Sequence, residues 1–321
     1  MKNSQVFFAL VALLAATSLL ADESKPIPNA EAGIIIRKAA GPSEIVITTT
    51  PRLAGAIHSL TWNGREFIDS FDHGRQLQSA SAFDNGTAWS NSEEFNPTEA
   101  GSVRDGDQQT STSRLLHKIV GPDFLQTTIQ MSYWLPPEGM SGGKPAKNKT
   151  ALSNHLLTKR MQIGYQNLPN VIDYRVTFSV PMGERHKRAQ FEALTGYMPA
   201  EFHKFHAVVP ERAELQPLDA GPGEQPHPVI AANEAGTHAI GVWTPVAQPA
   251  GFTRVGYGRF VFEKEKVTKW NCVFRKVMEK DAAGESIPLA AGEYSFQMFV
   301  IVGDLKTVHE SMLALQKTIR E

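Results

Sequence analysis

Between Asp69 and Asp107 the chain carries Asp72-His73-Gly74-Arg75-Gln76-Leu77-Gln78, then Trp89, Glu93 and Glu94, then Asn96-Pro97-Thr98-Glu99-Ala100-Gly101. Apolar residues are too sparse here for a stretch of mostly buried strand. What remains is a guanidinium fork, carboxamides, carboxylates and an indole. That mixture suits a sugar: ring hydroxyls take planar, bidentate partners such as Arg, Asn, Gln, Asp and Glu, and the apolar ring face takes an aromatic platform such as Trp89 or Phe95. Asp72, Arg75, Gln76, Gln78, Trp89 and Asn96 are therefore candidate substrate-binding residues. His73 and Glu99 are candidate acid/base groups, since imidazole titrates near neutral pH and a carboxyl group can be tuned to give or take a proton. The alternative is a structured surface loop whose polar groups satisfy its own backbone, with His73 a structural residue.

A second concentration runs from Glu192 through Tyr197 and Glu201 to His203 and His206. Glu192 is a further candidate for substrate binding, and Tyr197, Glu201 and His203 for catalysis. A pair of carboxyl groups suits glycoside hydrolysis, in which one protonates the leaving oxygen and the other handles water or the anomeric carbon. Tyr197 with a histidine, and an arginine to neutralise a uronate, suits β-elimination. A loop with stacked aromatics is the structural alternative. His203 and His206 are a poor metal pair, because a spacing of three on a strand turns the rings to opposite faces and no third ligand stands out. No metal and no cofactor is expected.

Arg185-His186-Lys187-Arg188 is a short basic run, read as a solvated turn unless it attracts an anionic glycan. The 32 Lys and Arg residues balance 33 Asp and Glu residues, leaving a formal charge of −1 and no sign of a nucleic-acid partner. No G-x-S-x-G, Walker-type or dinucleotide-binding pattern stands in a supporting context.

The elements that must position these groups are strands. Tyr174, Val176, Phe178 and Val180 alternate with polar residues, as do Leu125, Ile129, Met131 and Tyr133, and Met161, Ile163 and Tyr165 repeat the pattern. Period two puts one face on a core and the other toward solvent or a cleft. The unbroken run Phe296 to Val302 predicts a strand covered on both faces. Asn63-Gly64 between two short apolar runs predicts a tight hairpin, and Asn167-Leu168-Pro169-Asn170 predicts another turn. The one cysteine, Cys272, lies in an apolar stretch and reads as a core residue. Only the end looks helical, with Asp304 as a cap and Leu305, Val308, Met312, Leu315 and Ile319 at helical spacing. The fold expected is all-β: a large antiparallel β-sandwich with a short C-terminal helix.

Residues 1–21 read as an export signal, with Lys2, a short apolar core from Val6 to Ala16, and a small-residue exit at Ala21. The core is shorter than the roughly 20 residues a membrane span needs. Residues 22–321 are expected to form one periplasmic or secreted domain with no membrane contact once the signal is removed. Its oligomeric state cannot be read from the chain.

Gly55-Ala56-Ile57-His58-Ser59-Leu60-Thr61-Trp62-Asn63-Gly64-Arg65-Glu66-Phe67-Ile68 resembles the opening of galactose-mutarotase-like β-supersandwich domains. That family includes aldose 1-epimerases and domains of many glycoside hydrolases and polysaccharide lyases. The resemblance implies a carbohydrate ligand in a concave sheet face without fixing a reaction. Of the epimerases' Asn-His motif only Asn154-His155 is matched, and Leu156-Leu157 replace the aromatic-rich run that follows it. The expectation is a secreted, glycan-degrading hydrolase or lyase, with a carbohydrate ligand that could be anionic. The alternatives are a non-catalytic glycan-binding protein and an aldose epimerase-like protein.

Overall fold

The computed structural model describes residues 29–84, 93–209, 213–276, 279–280, 282–284 and 286–320. The expected export signal and Trp89 lie outside the described residues. Among the described residues nineteen strands form one hydrogen-bonded network. Followed from neighbour to neighbour, it resolves into two antiparallel sheets. The first runs Arg114–Val120, Phe124–Tyr133, Leu152–Tyr165, Leu168–Val180, Gly292–Gly303, Ala239–Trp243, Val229–Ala232, Lys204–Val209, Glu214–Leu218. The second runs Ile35–Ala40, Ser43–Thr49, Ile57–Trp62, Leu77–Phe83, Ala189–Pro199, Val267–Lys276, Gly256–Phe262, Gly223–Gln225. The short strand Pro97–Thr98 ties them together, pairing Thr98 with Ala80 and Pro97 with Tyr133.

Period-two patterning explains why the sheets stack. Leu157, Met161, Tyr174, Val176 and Phe178 from the first sheet share a core with Ile47, Leu60, Phe191, Leu194 and Cys272 from the second. Phe274 stacks on Phe296 across the gap at 4.3 Å between ring centres, and Phe178 lies 5.0 Å from Phe191. Burial of each such side chain contributes about 1.5–3 kcal/mol. The Phe296 to Val302 run is covered on both faces, as its continuity predicts. Phe296, Met298 and Val300 enter the inter-sheet core, while Phe299 and Ile301 pack beside Val308, Met312 and Leu315 of the helix Leu305–Arg320. Asp304 caps that helix, its Oδ1 accepting from the Thr307 amide at 2.7 Å.

Asn63 and Gly64, at φ 50° and 71°, form the expected hairpin turn and pair Trp62 with Arg65. The second expected turn falls earlier than the sequence suggests. Gln166, at φ 50°, and Asn167 make the reversal, Tyr165 pairs with Leu168, and Leu168 already begins the next strand. Pro169 is tolerated there because it is exposed at the strand's start, where a missing amide is not costly. Cys272 is buried with a free thiol. No described helix is long and apolar enough to cross a membrane.

Candidate functional site

The outward face of the second sheet lines a cleft of about 530 Å³, within the usual range of small-molecule sites. Alternation places its groups. In Val267–Lys276, Trp270, Cys272 and Phe274 point into the core, while Lys269, Asn271 and Arg275 line the cleft. In Ala189–Pro199 the pairing slips between Glu192 and Leu194, and Ala193 and Leu194 both enter the core. That extra residue lets Glu192 and Thr195, three apart, share the cleft face, where the Thr195 hydroxyl donates to Glu192 Oε2 at 2.7 Å. Phe260 and Phe262, two apart on one strand, stack nearly parallel at 6.2 Å and add an apolar wall. Loops supply Gly74, Glu93, Asn96 and Trp134. A Cβ at residue 74 would stand 2.8 Å from Trp134 Cη2, so the indole takes its place only because residue 74 is glycine.

Two carboxyl groups in this cleft are tuned in opposite directions. Burial pushes Glu93 above its ordinary value, and the nearby charge of Glu192 adds to the push against opposing contributions from Trp134, Lys269 and Ser141. Burial also works to raise Glu192, but the charge of Lys269, the hydrogen bonds from Thr195 and Lys269, and the charge of Arg275 outweigh it and hold Glu192 low. Lys269 Nζ lies 3.3 Å from Glu192 Oε2 and 5.1 Å from the centre of the Tyr197 ring. Burial raises Tyr197, which keeps its phenol protonated. Arg275 grips Glu224 through two hydrogen bonds of 2.6 and 2.7 Å and donates to Gln190 at 3.0 Å. Gln78 Oε1, Ser81 Oγ and Asn96 Oδ1 belong to cleft-lining residues, are sealed from solvent, and have no hydrogen-bond partner among the described residues.

The two stretches singled out in the sequence meet. Leu77–Phe83 pairs directly with Ala189–Pro199, with Gln78 opposite Thr195 and Ala80 opposite Glu192. Gln78, Asn96, Glu192 and Tyr197 line the cleft, whereas the other candidates among the described residues stand apart from its lining. His73 is buried with its ring nitrogens 2.6 and 2.7 Å from the carbonyls of Gly106 and Arg52, which fixes a loop and leaves no nitrogen for a substrate. Asp72 and Arg75 pair with each other at 2.8 Å, and Gln76 is buried with its amide on the Asp72 carbonyl. Glu99 is sealed in the interior against Lys159. Glu201 is exposed and paired with Arg65 at 3.1 Å, and His203 with Glu234 at 3.1 Å. The tyrosine–histidine pairing that an elimination would use is absent from the cleft lining, where Tyr197 is partnered by Lys269 instead. Lys269, Asn271, Arg275, Trp134 and Glu93 were not among the sequence candidates. The signal for the first three is their polar alternation with Trp270, Cys272 and Phe274.

No family model matches the chain. No curated protein matches it in sequence. Its fold is similar to that of the α-galactosidase from Lactobacillus brevis, at 10% identity and a TM-score of 0.46, over 89% of this chain and 42% of that one. It is also similar to the Slr1438 protein from Synechocystis, at 10% identity and a TM-score of 0.43, over 85% and 96% of the two chains. A glycoside hydrolase family 97 enzyme from Pseudoalteromonas, solved in complex with panose, matches at 8% identity and a TM-score of 0.42, over 84% of this chain and 35% of that one. The chain thus spans less than half the length of either glycosidase.

Proposed function

We propose that this protein is a glycan-directed hydrolase working in the cleft on the second sheet. The observation that carries the reading is the carboxyl pair Glu93 and Glu192, tuned apart within one cleft. Opposed tuning of neighbouring carboxyl groups is how a site keeps one as an acid and the other as a charged partner at the same pH. Glu93 gives its proton to the leaving glycosidic oxygen. Glu192 stabilises positive charge at the anomeric carbon and takes a proton from the attacking water, so that the bond and one water become two hydroxyls. Thr195 and Lys269 both hold Oε2 of Glu192, leaving Oε1 for the reaction. Trp134, Phe260 and Phe262 offer apolar ring faces, and Gln78, Ser81 and Asn96 line the cleft beside them.

Hydrolysis is favoured over elimination because Tyr197, the nearest phenol, is held protonated by burial and is a poor base. The cleft cations Lys269 and Arg275 are engaged by Glu192 and Glu224, which favours a neutral glycan over a uronate. The test is release of reducing ends across neutral and acidic polysaccharides, with absorbance of unsaturated uronates followed in parallel. Reducing ends without that absorbance are expected, with Glu93→Gln and Glu192→Gln each lowering kcat by about 10²–10⁴-fold while glycan binding persists. Binding without turnover by the native protein means a binding module, and unsaturated products mean a lyase; either result ends the hydrolase reading.

A further inference from the structure

A polar cluster that the cleft chemistry does not use packs against Phe83 of the inter-sheet core. His155 sits on the core face of Leu152–Tyr165, and Glu184 and His186 lie in the connection that leaves Val180 and enters Ala189–Pro199. Glu184 Oε2 stands 2.7 Å from His155 Nε2 and 2.9 Å from His186 Nε2. One donor atom from each of the three lies within 4.8 Å of the others. Both imidazoles are nearly sealed, and both lean on Phe83, at 5.1 Å and 4.4 Å between ring centres. Glu184 keeps 24% of its side chain exposed, so the cluster is open on its side.

The far side of His186 is also organised. Its Nδ1 lies 3.0 Å from Asp84 Oδ2, and Asp84 Oδ1 accepts from the amides of Lys187 and Arg188 at 2.6 and 3.2 Å. An imidazole that gives its Nδ1 proton to a carboxylate presents the Nε2 lone pair opposite, the arrangement that orients histidine ligands around metals. Here Nε2 of His186 faces Glu184 Oε2, and the Nε2 of a second buried histidine faces the same oxygen. Two imidazole nitrogens and a carboxylate oxygen thus converge on one point, which a proton or a metal ion can bridge.

We propose that His155, Glu184 and His186 form a binding site for a divalent transition metal, with zinc the best fit, and that Asp84 is its outer-shell partner. Two imidazoles and one carboxylate are a donor set that zinc accepts at about 2.0–2.2 Å, leaving a fourth position for water. At those bond lengths tetrahedral ligands stand about 3.3–3.4 Å apart, so Glu184 needs to draw back from each imidazole by about half an ångström. Calcium and magnesium prefer all-oxygen shells and are poorly served by two imidazoles. The ion would staple the first sheet, the crossing segment, and the end of Leu77–Phe83, whose residues line the cleft. The site is independent of the hydrolase reading.

The test uses the full chain without a histidine tag, stripped with a chelator and titrated with Zn²⁺, Ca²⁺ or Co²⁺. The expected result is one Zn²⁺ per chain, a rise in Tm on loading, no comparable Ca²⁺ uptake, and visible absorption of the Co²⁺ form typical of four-coordination. Glu184→Gln and His155→Ala should bind at least 100-fold more weakly, and Asp84→Asn about 10–100-fold more weakly. Should a histidine variant fail to fold, Glu184→Gln and the Co²⁺ spectrum of the native chain decide. The proposal falls if the native protein takes up no stoichiometric Zn²⁺, or if Glu184→Gln binds it as tightly as the native chain.

Discussion

Two lysine–glutamate pairs, Lys159 with Glu99 and Lys269 with Glu192, differ in access. Lys159 and Glu99 are wholly sealed, with Glu99 Oε2 accepting from the Ser79 amide at 2.9 Å and Lys159 Nζ also donating to the Gly55 carbonyl at 3.3 Å. Lys269 and Glu192 keep 13% and 24% of their side chains exposed and share their cleft with a second, oppositely tuned carboxyl group. The chemistry of the two pairs is the same. What separates an internal strut from a candidate site is the route to solvent and the opposed acid. Inside the sandwich the pair is closed off from solvent; on the cleft face Lys269 and Thr195 hold Glu192 low against the upward push of burial, while burial pushes its neighbour Glu93 up.

The largest effect that tests this contrast is on turnover. Glu192→Gln should lower kcat by up to about 10⁴-fold, because its amide keeps the shape of the site and loses the charge. The pH profile sharpens the point. The proposed hydrolysis requires Glu192 ionised and Glu93 protonated, so its acid limb should lie below the ordinary carboxyl range and its alkaline limb above it. Removing the charge of Glu192 lets Glu93 ionise more easily, so the alkaline limb of the residual activity of Glu192→Gln should move to lower pH. Lys269→Met removes the charge that holds Glu192 low, and the acid limb should move to higher pH. A pH profile unchanged by both substitutions breaks the assignment.

The buried pair should respond in the other observable. Lys159→Met leaves Glu99 without its lysine partner in the core and should cost about 3–5 kcal/mol of stability by denaturant unfolding. Activity per folded molecule should stay near that of the native protein. A loss of turnover in the folded fraction would instead connect the interior pair to the cleft. A smaller effect is expected at the cleft wall: Trp134→Ala removes an aromatic contact of about 0.5–1.5 kcal/mol and should raise KM by about tenfold or less. Because the Trp134 indole also donates to Glu93, this variant should move the alkaline limb to higher pH.

The fold was more legible than the site because periodicity records which face of a strand is buried, whereas access depends on how distant strands meet. Tyr174 to Val180 and Phe296 to Val302 announce one-sided and two-sided burial, and Asn63-Gly64 announces its own hairpin. Glu192 and Gln78 were legible as functional groups, and the pairing of their strands brings them together. Glu99 has the same side chain in an equally polar stretch, and only the third dimension shows it sealed behind Lys159. The slip between Glu192 and Leu194, which turns Thr195 toward Glu192, shows in the sequence only as the adjacent apolar pair Ala193-Leu194. His155 and His186 lie 31 positions apart in the chain, and Glu184 brings them together only across the gap between sheets.

The smallest expected effects fall on Glu201 and His203, which composition and spacing favoured as catalytic. Glu201 meets Arg65 in solvent, with 38% and 47% of the two side chains exposed, and His203 meets Glu234 with 41% and 73% exposed. Water screens such pairs, and holding long side chains in one geometry costs entropy, so each contributes about 0–1 kcal/mol. Glu201→Gln and His203→Ala should therefore leave kcat, KM and both pH limbs unchanged within error, and shift stability by less than about 1 kcal/mol. The contrast with Glu192→Gln is then one of position alone, since Glu201 and Glu192 carry the same side chain. A tenfold loss of turnover in either variant would mean that the reacting sugar lies on the exposed rim beside Arg65, and the carboxyl pair of the cleft would lose its claim to the chemistry.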